Sequence, residues 1–121
     1  MAFIKSTSTV TDTAITIPGL TGGDDGKVVR ISGVNTATNA ANTNSVTQLN
    51  AVLLKQGGVY YASGLVTGFV SLAAGAPYFL SSDGSITATP PTPTATVRAL
   101  YLGFAINSTD LVFRPGIPIS G

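Results

Sequence analysis

Asp24 and Asp25 are the one adjacent pair of carboxylates in the chain, set in Thr21-Gly22-Gly23-Asp24-Asp25-Gly26. Hard divalent cations take carboxylate oxygens, so such a pair invites a Ca²⁺ or Mg²⁺ reading. A single glycine-flanked loop offers too few fixed oxygens for that, and the segment reads instead as a solvated turn. Gly26-Lys27 resembles the end of a phosphate loop. A Walker A motif, however, needs a glycine five positions before Gly26 and a hydroxyl residue after the lysine. Those positions hold Thr21 and Val28, and the segment that follows reads as a strand, so no helix N-terminus faces a phosphate.

Histidine, cysteine and glutamate are absent. Ser/His/Asp and Cys/His nucleophile systems are therefore impossible within one chain, as are thiolate and imidazole metal sites. A Ser/Lys pair needs none of these residues, but no Ser-x-x-Lys occurs. Carboxylate catalysis would have to draw on Asp12, Asp24, Asp25, Asp83 and Asp110 alone. Asn107-Ser108-Thr109 fits a glycosylation sequon and reads as a turn. The expectation is a protein that is not an enzyme and uses no cofactor and no metal.

Charge is scarce: 9% of residues are charged, against about 25% in an ordinary globular domain. No charge falls between Arg30 and Lys55, or between Lys55 and Asp83. Soluble monomers keep charged, mixed surfaces. The shortage predicts that partners, either copies of the chain or a scaffold, cover much of this one. The six basic residues are scattered and the net charge is +1, which argues against a nucleic-acid partner. The most apolar stretch, residues 70–80, is interrupted by Gly75 and Pro77 and falls short of the roughly 20 residues of a spanning helix, so no membrane partner is expected. The first residues lack the apolar core of a secretory signal, so release from a cell is expected by assembly and lysis.

The elements that must carry any site are strands. Thr, Val, Ile, Tyr and Phe cluster between Gly, Pro, Asn and Asp punctuation. Strands are predicted at Ala14-Ile15-Thr16-Ile17, Lys27-Val28-Val29-Arg30-Ile31-Ser32, Val59-Tyr60-Tyr61-Ala62, residues 65–70, residues 77–81, residues 85–89, residues 97–106 and Leu111-Val112-Phe113-Arg114. Residues 46–54 fit a helical turn or two by spacing, and residues 51–55 fit a strand equally. Asp83-Gly84 signals a two-residue hairpin, and Gly103 a bulge within its strand. The predicted fold is all-β: a small antiparallel β-sandwich or barrel built from hairpins, with an extended N-terminal arm over residues 1–13. Residues 14–121 form a single domain, with 35–48 an exposed Asn/Thr-rich loop and 89–96 a Pro/Thr connector.

Within residues 58–116 the pattern runs Gly64-Leu-Val-Thr-Gly68, Leu72-x-x-Gly75, Tyr78-Phe79-Leu80-Ser81, Asp83-Gly84-Ser-Ile86-Thr87 and Pro90-Pro91. It closes with Leu102-Gly103-Phe104-Ala105 and Leu111-Val112-Phe113-x-Pro115. This resembles phage virion β-structural proteins, namely capsid decoration (cement) proteins and fibre or tail-appendage knob domains. The resemblance implies a homotrimer on the capsid surface, made in the host cytoplasm, with the major capsid protein as its partner. Phe3, Ile4, Ile15 and Ile17 are the expected shell-binding residues. Tyr78, Leu80, Tyr101, Phe104 and Phe113 are the expected subunit contacts. The alternative is a tail-fibre or receptor-binding appendage with residues 35–48 as its tip.

Overall fold

A computed structural model describes residues 14–121; the expected arm over residues 1–13, with Phe3 and Ile4, lies outside the described residues. The described residues are all-β apart from one 3₁₀ turn at Gln48–Asn50. The strands are β1 (Ala14–Thr16), β2 (Lys27–Gly33), β3 (Thr36–Asn39), β4 (Val52–Gln56), β5 (Val59–Val66), β6 (Pro77–Leu80), β7 (Ile86–Thr87), β8 (Arg98–Ala99), β9 (Tyr101–Ala105), β10 (Leu111–Phe113) and β11 (Ile119–Ser120). One antiparallel sheet runs β3-β2-β4-β5-β10-β9-β6-β7, with β1 added on β5, and β8 pairs separately with β11.

The sheet curls because β5 serves two layers. Tyr61 faces both Leu54 of β4 and Thr16 of β1, and Gly64 faces both Phe113 of β10 and Ala14 of β1. A strand residue takes one partner on each edge, so β4 and β10 occupy the same edge of β5 in succession, opposite β1. The handover falls between Tyr61 and Gly64, where Gly64 adopts φ +105°. Glycine tolerates that conformation and lets the strand bend out of one layer into the other.

The two layers enclose one core built around Val28, Leu54, Val66, Tyr78, Leu80, Leu100, Leu102, Leu111 and Phe113. The mouth is bridged by the backbone: the Val28 N–H donates to the Gly84 carbonyl at 2.8 Å, and the Asn42 N–H to the Ser81 carbonyl at 3.1 Å. Val29, Leu53 and Tyr60 look the other way and form a second, smaller cluster with Ala37, against which Leu20 packs. The β2–β4 layer is thus apolar on both faces. This is why Val28-Val29 and Leu53-Leu54 are buried as adjacent pairs rather than alternating with polar residues.

The strands expected at 59–62 and 65–70 join as β5, with no strand over 67–70, and three further expectations about local structure change. Residues 35–48 are an exposed loop only in their second half, around 43–48. Thr36–Asn39 pairs with β2, and Ala37, Ala40 and Asn42 are buried. The run has no large apolar residue before Val46 to mark it, and its strand is held by backbone pairing to β2 on one side and to Thr21 on the other. The hairpin at Asp83-Gly84 is longer than two residues: Ser81 N–H donates to the Ser85 carbonyl at 3.0 Å across Ser82-Asp83-Gly84. Only Gly84 has positive φ there, at +90°, whereas the tightest turn would need it at both central residues. The strand expected over 97–106 is split at the buried Leu100, giving β8 to β11 and β9 to the main sheet.

The bulge at Gly103 is present. Tyr78 faces Gly103 while Phe79 faces Tyr101, so two residues of β9 span one step of β6. Residues 46–54 resolve into both alternatives, the 3₁₀ turn followed by β4. Residues 88–97 carry no strand.

Candidate functional site

β1 brings Ile15 and Ile17 to the margin of the sheet, 56% and 38% exposed. Ile17 N–H donates to the Tyr60 carbonyl at 2.9 Å, which carries the pairing with β5 one residue beyond β1. The chain then turns at Pro18-Gly19, and Gly19 takes φ +83°. A cleft of about 280 Å³ opens here, lined by residues 16–20 and 58–60. Ile17, Pro18, Leu20 and Val59 make its walls largely apolar.

The cleft is braced from beneath. The Tyr60 hydroxyl donates to the Gly22 carbonyl at 2.7 Å. The Lys55 ammonium donates to the carbonyls of Gly22 and Gly23 at 3.3 and 3.0 Å. It also lies 5.2 Å from the centre of the Tyr60 ring, a cation–π distance. Lys55 therefore spends these hydrogen bonds on the loop behind the cleft. What the cleft offers a partner is apolar surface and backbone.

Asp24 and Asp25 diverge, as the solvated-turn reading expects. Asp24 and Asn39 bond reciprocally: Asn39 Nδ2 donates to the carboxylate at 2.8 Å, and Asp24 N–H donates to Asn39 Oδ1 at 2.9 Å. Asp25 instead accepts from Gly58 N–H at 2.9 Å. No group of three acidic side chains that can hold a metal occurs among the described residues.

One arrangement was invisible in the sequence. Lys27 Nζ lies 2.8 Å from Ser85 Oγ, across 58 residues of chain. A lysine beside a serine is the geometry of an activated nucleophile, and a base would have to accept the hydroxyl proton. Here Asp83 stands 3.5 Å from the same nitrogen and pairs with it as an ammonium, which is a donor only. The trio therefore ties the β6–β7 hairpin to β2 next to the Val28–Gly84 bond. Only the Asp83-Gly84 turn signal marked this place in the sequence.

The Asp83 carboxyl is held well below the usual carboxylate range, chiefly by the Ser81 hydroxyl at 2.7 Å and then by Ser85 N–H at 3.0 Å. Asp110 is lowered as well, first by the Thr67 hydroxyl at 2.6 Å and then by Asn107. Asn107 Oδ1 accepts from the backbone N–H groups of Thr109 and Asp110, both at 2.9 Å. The sequon asparagine thus shapes a side-chain-closed turn.

The five expected subunit contacts divide. Tyr78, Leu80 and Phe113 are 6%, 0% and 1% exposed and belong to the chain's own core, so they have no surface left for a neighbour. Alternation explains the error, since each sits on the inward half of its strand. Tyr101 and Phe104 are half-buried and turn outward. Comparison with family models, curated proteins and solved structures returned no match.

Proposed function

We propose that this chain is a capsid decoration, or cement, protein that binds the outer surface of a phage head and stabilises it by bridging shell subunits. The observation that carries the reading is the pair Ile15 and Ile17, set in the open at the sheet margin beside an apolar cleft. The low charge of the whole chain points the same way. Apolar area removed from water on docking contributes about 25 cal/mol per Å² before association costs are subtracted. Among the described residues β1 pairs on one edge only, so its other edge can take a strand from the shell by β-addition. In this reading the partners are the major capsid protein and two further copies of the chain, and the location is the capsid surface.

The test uses heads that lack the protein. Added wild-type protein is expected to bind at hundreds of copies per head and to raise the melting temperature of the heads, whereas a few to tens of copies would mean a tail position. Ile15→Asp with Ile17→Asp should abolish both effects while the protein stays folded. Equal binding by the double variant, or no rise in head stability with wild type, defeats the proposal. For the alternative, a tail-fibre or receptor-binding appendage, the expected tip at residues 35–48 narrows to about 43–48, since Thr36–Asn39 is a sheet strand and Asn42 is buried.

A further inference from the structure

The layer formed by β5, β10, β9 and β6 turns one face to the core. On the other face Leu65 stands opposite Val112, Val112 opposite Phe104, and Phe104 opposite Pro77. Their chain neighbours Val66, Leu111, Phe113 and Tyr78 are buried, so alternation directs this row outward. The β9 bulge enlarges it. Because Phe79 faces Tyr101 rather than Leu102, Tyr101 and Phe104 fall on the same side of the sheet. The Phe79 and Tyr101 rings meet edge to face, with centres 5.9 Å apart.

An antiparallel sheet with one face in water normally reads polar on that face. Here six apolar side chains occupy it, and the four strands contain no charged residue. Arg114, just past β10, lays its guanidinium over the Phe104 ring at 5.9 Å, so this cation is already engaged.

We infer that this outward face is where copies of the chain meet. An acidic or basic partner would find almost nothing to pair with on these strands. A second copy brings an equally neutral apolar row, with no like charges on the facing strands. Three inter-strand steps of about 4.8 Å make the row about 14 Å long. That is the scale of the apolar centre of a standard interface of about 800 Å² per partner. Thr87, opposite Phe79, flanks it at one end, and Ser63, opposite Ile15, at the other. The inference rests on the oligomer part of the proposed function and names its contact surface, and its test needs no shell.

The full chain is measured by sedimentation equilibrium over a wide concentration range, as wild type and as Val112→Lys, Leu65→Lys and Tyr101→Ser. Val70→Lys, on the loop after β5 and 79% exposed, is the control. Urea unfolding identifies which variants are folded, and the folded ones are compared. Wild type and the control should sediment as a multiple of the 12.2 kDa chain. The face variants should associate at least about tenfold more weakly. A monomeric wild type at millimolar concentration, or folded face variants that associate like wild type, overturns the inference. Head binding is scored separately. Face-dependent assembly without head binding leaves the inference standing and removes the cement function, and binding by a monomeric wild type does the reverse.

Discussion

Gly103 of β9 lies against the backbone of Val112 on β10 so closely that a Cβ on the glycine would overlap the Val112 carbonyl oxygen. The two strands pair through this point, and Gly103 adopts φ +144°. Gly103→Ala is therefore expected to destabilise the fold by at least about 2 kcal/mol, from backbone strain and overlap together. Gly57→Ala also has positive φ but nothing within 4 Å of the added carbon, and should cost less. Urea unfolding of both variants checks this, and equal losses would contradict the close-approach account.

The lowered carboxyls of Asp83 and Asp110 make stability depend on pH in one direction. A depressed native pKa means that the unfolded chain binds protons first as pH falls. The contribution is complete above the ordinary carboxylate value of about 3.9 and is lost below it, as pH falls through the lower native values. Ser81→Ala removes the main hydroxyl donor to Asp83. Its melting temperature should fall less steeply than that of wild type between pH 4 and pH 2 (a range set by about 3.9). Parallel curves would count against the assignment.

Lys27 joins β2 to the β6–β7 hairpin through Ser85 and Asp83. Lys27→Met keeps most of the aliphatic stem and removes the donor, and should cost about 1 kcal/mol. The Val28 amide, bonded to the Gly84 carbonyl beside this contact, should exchange its hydrogen faster in the variant. Unchanged exchange would mean that the backbone bridge holds without the lysine.

Phe113 and Phe104 separate the two faces of one layer. Phe113 is 1% exposed, and Phe113→Ala is expected to cost about 3–5 kcal/mol. Phe104 is half-buried on the outward face, and Phe104→Ala should cost the isolated monomer distinctly less. Comparable losses, measured by urea unfolding at concentrations where the chain is monomeric, would show that the outward face is part of the core.

Strand identity was readable wherever β-branched and aromatic residues clustered between turn residues, as in β2, β6 and β10. It failed at β3, whose Thr-Ala-Thr-Asn has no large side chain to reveal which face is buried. The candidate site was readable only in part. Ile15 and Ile17 followed from a short apolar strand before Pro18-Gly19. The buried roles of Tyr78, Leu80 and Phe113 did not, because an aromatic or aliphatic residue at strand spacing suits a core and an interface equally.

The sequence by itself determined the all-β class, the poverty of charge, the exclusion of histidine and thiol chemistry, and the places of the main turns, because these depend on residue type and near-neighbour spacing. Tertiary structure alone decided that β5 changes partners at Gly64, that Lys27 meets Ser85, and which half of each strand faces the core. Those outcomes depend on contacts between segments far apart in the chain, and no local preference encodes which segment arrives or on which side.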